Sequence, residues 1–157
     1  MIMDKETYFL KKMKVQFLRI FLLVQKSEEA SIKQLSTGSD LSPSEMHTLV
    51  AIGRRDPKTM SEIAAELMVN VSTLSTAVSK LEGRGYVRRV KNESDRRVVR
   101  ITLTAKGRRA LDEHEDFYLG LIDEYIKNMT TDEKKECIHA LSHIEKLLSD
   151  QMAEKDE

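Results

Sequence analysis

The chain has 157 residues, and its 26 Lys plus Arg are matched by 26 Asp plus Glu, so the formal net charge is zero. That length suits roughly one domain with a real core and excludes a large multi-domain enzyme. A 40% hydrophobic content excludes a disordered chain, while 33% charged and 5% aromatic residues, with two Pro and six Gly, favour a helical protein over a sandwich or barrel. One cysteine, Cys137, excludes an internal disulfide framework. No apolar run approaches the ~20 residues that span a membrane, and the first residues alternate charged with apolar, unlike a secretory signal. A reducing, cytoplasmic setting is the expectation.

In chain order, Phe9, Met13, Phe17, Ile20 or Phe21, and Val24 are spaced by three and four, which predicts an amphipathic helix over 5–24. Residues 27–40 are polar and read as a loop, with a short helical turn at Ile32 and Leu35. Ser42, Pro43 and Glu45 form a helix start: a cap, a proline at the first helical position, and a capping-box partner. That helix carries Met46, Leu49, Val50 and Ile52 to about Gly53. Thr59 and Glu62 form a second capping box, opening a short helix through Leu67. Met68, Val69 and Asn70 break it. Asn70 or Ser72 then caps a helix that ends at Gly83 or Gly85.

The period changes next. Residues 86–90 and 98–103 are rich in β-branched side chains and predict two strands around a polar tip at 91–97. Thr104 can cap a long helix to about Asn128. Thr130 and Glu133 open the last helix, which carries Cys137, Leu141, Ile144 and Leu148. The expected fold is mainly α: a winged helix-turn-helix with a two-stranded β-wing and long N- and C-terminal helices. The expected division is residues 1–36 (N-terminal helix and loop), 42–107 (winged helix-turn-helix) and 108–157 (C-terminal helices).

The charges are uneven along the chain. Residues 54–109 hold 14 basic and 6 acidic residues, a balance of +8. Residues 1–53 stand at +1, and residues 110–157 at −9. A basic middle with an acidic tail fits a central nucleic-acid reader. It also fits a salt-bridged surface, so the motifs decide.

In the helix-turn-helix, the second helix enters the major groove and its N-terminal residues meet base edges. Ile63, Ala64, Leu67, Leu74, Val78 and Leu81 are spaced to pack the two helices together. Val71 begins the second helix, and Ser72, Thr73, Ser75, Thr76 and Ser79 are left outward, with Lys80 beside them. Their hydroxyls suit base edges and phosphates without dictating a sequence. Ser72 or Thr73 alone reads equally well as a cap. Arg84, Arg88, Arg89, Arg100 and Lys106 flank the unit as candidate phosphate contacts. At the wing tip, Arg96 and Arg97 follow Asp95. An arginine is long enough to enter a minor groove, and Asp95 can orient a neighbouring guanidinium.

Residues 60–107 resemble the MarR family of bacterial transcriptional regulators. The family's wing signature, Asp-x-Arg followed by Leu-Thr-x-x-Gly, is matched by Asp95, Arg96 and Arg97 with Leu103, Thr104 and Gly107. The order of elements extends the resemblance over nearly the whole chain. It implies a homodimer joined through the terminal helices, at Phe9, Met13, Phe17, Leu141, Ile144 and Leu148, that binds pseudo-palindromic double-stranded DNA. It also implies that Arg97 is the minor-groove arginine, Asp95 its orienting partner and Arg96 a backbone contact. Ser72 and Ser79 depart from relatives that are often basic there.

Three stretches, 45–48, 72–99 and 114–117, resemble the branch that regulates bacterial fatty-acid synthesis genes. That branch implies acyl chains on acyl carrier protein as co-repressor, with Met, Leu and Phe lining an apolar tunnel. The alternatives are a ligand-, metal- or oxidant-responsive regulator of efflux or stress genes, or a winged-helix protein-interaction module. Cys137 reads as a buried core residue rather than a thiol switch. His139 and His143 read as a solvated or seam pair, and His47 with His114 lacks the further ligands a metal needs. No Ser-His-Asp setting, phosphate loop or carboxylate pair points to catalysis. No cofactor, metal or catalytic residue is expected.

Overall fold

A computed structural model describes residues 5–36, 40–91 and 99–153. The chain divides into two compact units, Met1–Phe117 and Tyr118–Glu157. The first begins with α1 (Lys5–Ile32), α2 (Pro43–Ile52), β1 (Lys58–Thr59), α3 (Met60–Glu66) and α4 (Val71–Gly83). Then come β2 (Val87–Lys91), β3 (Val99–Leu103) and the start of α5 (Ala105–Ile126). The second unit holds the end of α5 and α6 (Thr131–Ala153).

Helix α1 runs into the stretch predicted as a loop and ends at Ile32. Gln25, Lys26, Glu28, Glu29 and Ala30 are good helix formers, so polarity there marks a wet face rather than a break. The last turns are also held by packing, because Glu28, Ser31 and Ile32 are buried. The predicted turn at Ile32 and Leu35 survives as the buried end of α1 and the residues after it.

Four of the predicted caps form, at Ser42, Thr59, Thr104 and Thr130. Ser42 Oγ accepts from the Glu45 amide at 3.3 Å while Glu45 Oε2 accepts from the Ser42 amide at 2.9 Å. Thr59 and Glu62 repeat the pattern at 3.2 Å and 2.6 Å. Thr104 Oγ1 accepts from the Gly107 amide at 3.2 Å. In the second unit, Thr130 and Glu133 close a box at 3.3 Å and 2.8 Å.

Two strands were expected and three form among the described residues, in the order β1-β3-β2, all antiparallel. Val87 faces Leu103 and Lys91 faces Val99 across the wing. The extra strand pairs Lys58 with Ile101 and Thr59 with Arg100. Two residues are too few to show an alternating pattern in sequence.

The core of the first unit gathers Ile32, Met46, Leu49, Ile63, Leu74 and Ile101, all at most 1% exposed. Tyr86 is also fully buried where α4 turns into β2. Gly85 makes that turn at φ +76°, a conformation costly for any residue with a Cβ. Gly107 answers a different demand: a Cβ there would stand 2.1 Å from the Tyr86 carbonyl oxygen. The glycine of the wing signature is therefore what lets α5 start against the backbone just before β2. Among the described residues, no helix is long and apolar enough to cross a membrane.

Candidate nucleic-acid interface

Helices α3 and α4 are joined by a tight turn in which Met68 takes φ 53°. The left-handed residue reverses the chain without a glycine, at some backbone cost. The Val69 amide still bonds the Ala64 carbonyl at 3.0 Å, closing the end of α3. Ile63, Ala64, Leu74, Val78 and Leu81 are buried between the helices, with Leu67 partly so, as their spacing predicted. The opposite face of α4 is exposed at Val71, Ser72, Thr73, Ser75, Thr76, Ser79 and Lys80. Asn70 is the N-cap by backbone geometry, but its side chain makes no cap bond.

Sequence reasoning missed two neighbours of Val71. Met68 (65% exposed) and Val69 (41%) place an apolar patch at the leading end of α4. The signal was present as apolar residues in a turn, where burial gives no reason for them.

The basic segment is partly neutralised from within the fold. Arg54 pairs with Asp112 and Glu115 of α5, at 2.5 Å and 2.7 Å. Lys58 pairs with Glu66 at 2.5 Å. Arg89 lies 3.4 Å from Glu82 and donates to Ser79 Oγ at 3.3 Å, tying β2 to α4. Arg100 donates to the Pro57 carbonyl at 2.8 Å and lies 3.7 Å from Glu62. Arg88 and Lys91 are exposed on β2. Asp95, Arg96 and Arg97 lie outside the described residues.

Arg84, expected at the DNA backbone, is engaged inside the unit. Its Nη1 donates to the Asp40 carbonyl at 2.6 Å, its Nη2 meets Glu45, and its Nε donates to the Lys80 carbonyl at 3.3 Å. The Tyr86 hydroxyl donates to Asp40 Oδ1 at 2.7 Å. Lys106 Nζ donates to the Arg84 carbonyl at 3.2 Å and lies 4.0 Å from the Tyr86 ring centre. The Tyr86 hydrogen bond holds the Asp40 carboxyl below its ordinary value, outweighing burial and helped by the charges of Arg84 and Lys106. Burial would raise the Glu45 carboxyl, but the Ser42 amide and Arg84 outweigh it and hold it low. Both carboxylates therefore stay charged beside Arg84.

His47 and His114 are brought together, though by a carboxylate. Glu28 Oε1 lies 2.8 Å from His47 Nε2 and 3.3 Å from His114 Nε2, which joins α1 to α2 and α5. Glu28 and His114 are buried while His47 is half exposed. Glu28 was missed because its stretch was read as a loop. Among the described residues, no group of three or more His, Cys, Asp or Glu is arranged to hold a metal. A cleft of about 350 Å³ opens between α2 and α4, walled by His47, Thr48, Leu67, Val69, Thr73 and Leu74. No methionine lines it; Met46 is in the core, and Met13 and Met68 are exposed.

The residues expected at a dimer seam are available in each unit. Phe9, Met13 and Phe17 are at least half exposed, as is Leu141, while Leu148 is 45% exposed. Ile144 is half-buried. Cys137, expected to be buried, is only half-buried, and none of the described side chains of α6 is buried within the single chain.

Residues 41–99 match the MarR family. The chain is 33% identical to FabT of Streptococcus pneumoniae, solved in complex with DNA, with a TM-score of 0.83 over 90% of this chain and 99% of FabT. The chain belongs to the MarR family. It is a winged-helix transcription regulator. Among curated members, it is 36% identical over 84 residues to the HTH-type transcriptional regulator YwhA of Bacillus subtilis, covering 54% of this chain. It spans only 60% of YwhA's length. It is 24% identical over 140 residues to the HTH-type transcriptional repressor MdtR of Bacillus subtilis, covering 89% of this chain and 86% of MdtR.

Proposed function

We propose that the protein is a homodimeric repressor that reads a pseudo-palindromic operator, with α4 of each protomer in the major groove. The observation that carries this is the outward face of α4. Ser72, Thr73, Ser75, Thr76 and Ser79 offer hydroxyls on short side chains, so the helix can approach base edges closely. The exposed Val71, Val69 and Met68 suit thymine methyl groups at the leading end. Lys80, Arg88 and Lys91 suit phosphates, and Asp95, Arg96 and Arg97 form the wing contact, with Arg97 in the minor groove. Two α4 helices in a dimer then stand about one DNA turn, ~34 Å, apart. Such a regulator works in the cytoplasm, beside the DNA it controls.

The likeness to FabT, which was solved with DNA, supports the DNA-binding reading and favours the fatty-acid branch. In that branch acyl chains on acyl carrier protein are the co-repressor. The test is selection of genomic fragments by the purified protein. Fragments from upstream of fatty-acid genes, bound with steeply salt-dependent affinity, are expected. Long-chain acyl carrier protein should tighten a gel shift on them. Recovery of unrelated promoters removes the branch, and retention of no duplex removes DNA binding altogether.

A further inference from the structure

We infer that Arg84 is a positioning residue for DNA reading: it is a strut that sets the angle of α4 against α2, rather than a phosphate contact. The inference deepens the proposed function and rests on it, because it takes α4 as the element that meets DNA.

Three donors of one guanidinium are spent on acceptors from two segments. Nε returns to the Lys80 carbonyl on α4, while Nη1 and Nη2 reach the Asp40 carbonyl and the Glu45 carboxylate at the start of α2. Those acceptors are themselves fixed. Asp40 is held by the Tyr86 hydroxyl, and Glu45 by the Ser42 amide in its capping box. The carbonyl of Arg84 is held by Lys106 from the first turn of α5. The Arg84 side chain is 27% exposed and its guanidinium faces two carboxylates, so a phosphate would meet a cation already neutralised.

The two ends of α4 differ accordingly. The C-terminal end is bound to α2 and α5 through Arg84, whereas the N-terminal end lacks a side-chain cap at Asn70. A helix of 13 residues is about 20 Å long at 1.5 Å per residue. A tilt of about 5° at the bound end therefore moves the leading end by roughly 1.7 Å. That is enough to break hydrogen bonds from short Ser and Thr side chains to base edges, which have no reach to spare.

The test uses the full-length protein, a duplex recovered by the fragment selection, an unrelated duplex, and several salt concentrations. Glu45→Gln discriminates by sign. It removes an anion from the DNA-binding unit and releases Arg84, while a glutamine keeps the capping box. A phosphate-contacting Arg84 predicts operator binding that is unchanged or tighter. A strut predicts binding weakened by roughly tenfold, the size expected for loss of one charged hydrogen bond. Binding to the unrelated duplex and the salt slope should stay as in wild type. Arg84→Lys keeps the charge but cannot reach all three acceptors, so it should weaken the operator complex similarly, and it decides the matter if Glu45→Gln proves unfolded on melting. The inference is overturned if both variants bind like wild type, or if Arg84→Gln lowers the salt slope by about 0.9, as loss of one phosphate contact would. A wild-type protein that retains no duplex overturns the proposed function and the inference with it.

Discussion

Helix α1 and the α3–α4 pair lie in the same unit and treat their apolar side chains in opposite ways. In α3 and α4, Ile63, Leu74, Val78 and Leu81 are buried to 1% or less within a single chain. In α1, Phe9, Phe17, Ile20, Phe21 and Leu22 stay at least half exposed. Leu10, Leu18 and Leu23, off the predicted stripe, are exposed as well, so more than one face of α1 is apolar. Burying such a side chain is worth about 2 kcal/mol. The helix-turn-helix can collect that stabilisation alone, but α1 collects it only at its last turns. The helix-turn-helix is thus complete in one chain, while α1 leaves an apolar surface that the proposed second copy would cover.

The largest effect should come from breaking that demand. Phe17→Glu places a charge in the exposed apolar surface of α1 and is expected to turn a dimer of 18.0 kDa chains into monomers. Light scattering reads the mass, and operator binding should vanish because one α4 cannot span two half-sites. The pair Leu141→Glu and Leu148→Glu should act alike on α6. A mutant that stays dimeric and binds operator normally would remove these helices from the seam.

Gly107→Ala attacks the self-sufficient region instead. Its Cβ would fall 2.1 Å from the Tyr86 carbonyl oxygen, on backbone that cannot swing aside. A loss of about 3 kcal/mol is expected in urea melts, the upper range for overpacking. Unchanged stability would mean that α5 can start elsewhere. Thr59→Ala is milder. It deletes the acceptor for the Glu62 amide at the start of α3 and should cost about 1 kcal/mol. The oligomeric state should not change in either variant, which keeps the two regions separable.

Much of this was legible because local chemistry and tertiary packing agree. The boxes at Ser42, Thr59 and Thr130, the burial of Ile63 and Leu74, and the wing pairing around Val87 and Leu103 follow from nearest neighbours and period. The failures are places where a distant partner decides. Residues 27–40 read as loop, yet Glu28 lies under His47 and His114, far away in sequence. The +8 of residues 54–109 fitted a nucleic-acid reader and a salt-bridged surface alike, and Arg54 and Arg84 are met by Asp112, Glu115, Asp40 and Glu45 from outside that segment. Charge counted along a chain cannot show which acids fold back onto it. The outward face of α4 was legible for the opposite reason: its side chains are exposed, so local period alone sets it.

The smallest effect probes the seam just after α1, where the exposed helix gives way to the packed unit. Glu113 on α5 accepts from the Ser36 amide at 2.7 Å and also from its hydroxyl. The Ser36 hydroxyl and then its amide hold the Glu113 carboxyl below the ordinary value, against a small opposing effect of burial and with help from Arg109. A carboxyl depressed in the folded state adds stability above its unfolded value, and that stability is lost as pH falls through the folded value. Glu113→Gln should therefore melt slightly below wild type at pH 7. At a pH below the ordinary carboxylate range the two proteins should converge, because wild type has then lost the same contribution. An equal gap at both pH values would mean that the bond acts through shape and not through charge. Because Ser36 follows the buried end of α1 and not its exposed length, Glu113→Gln should leave the dimer intact at pH 7, where Phe17→Glu has none.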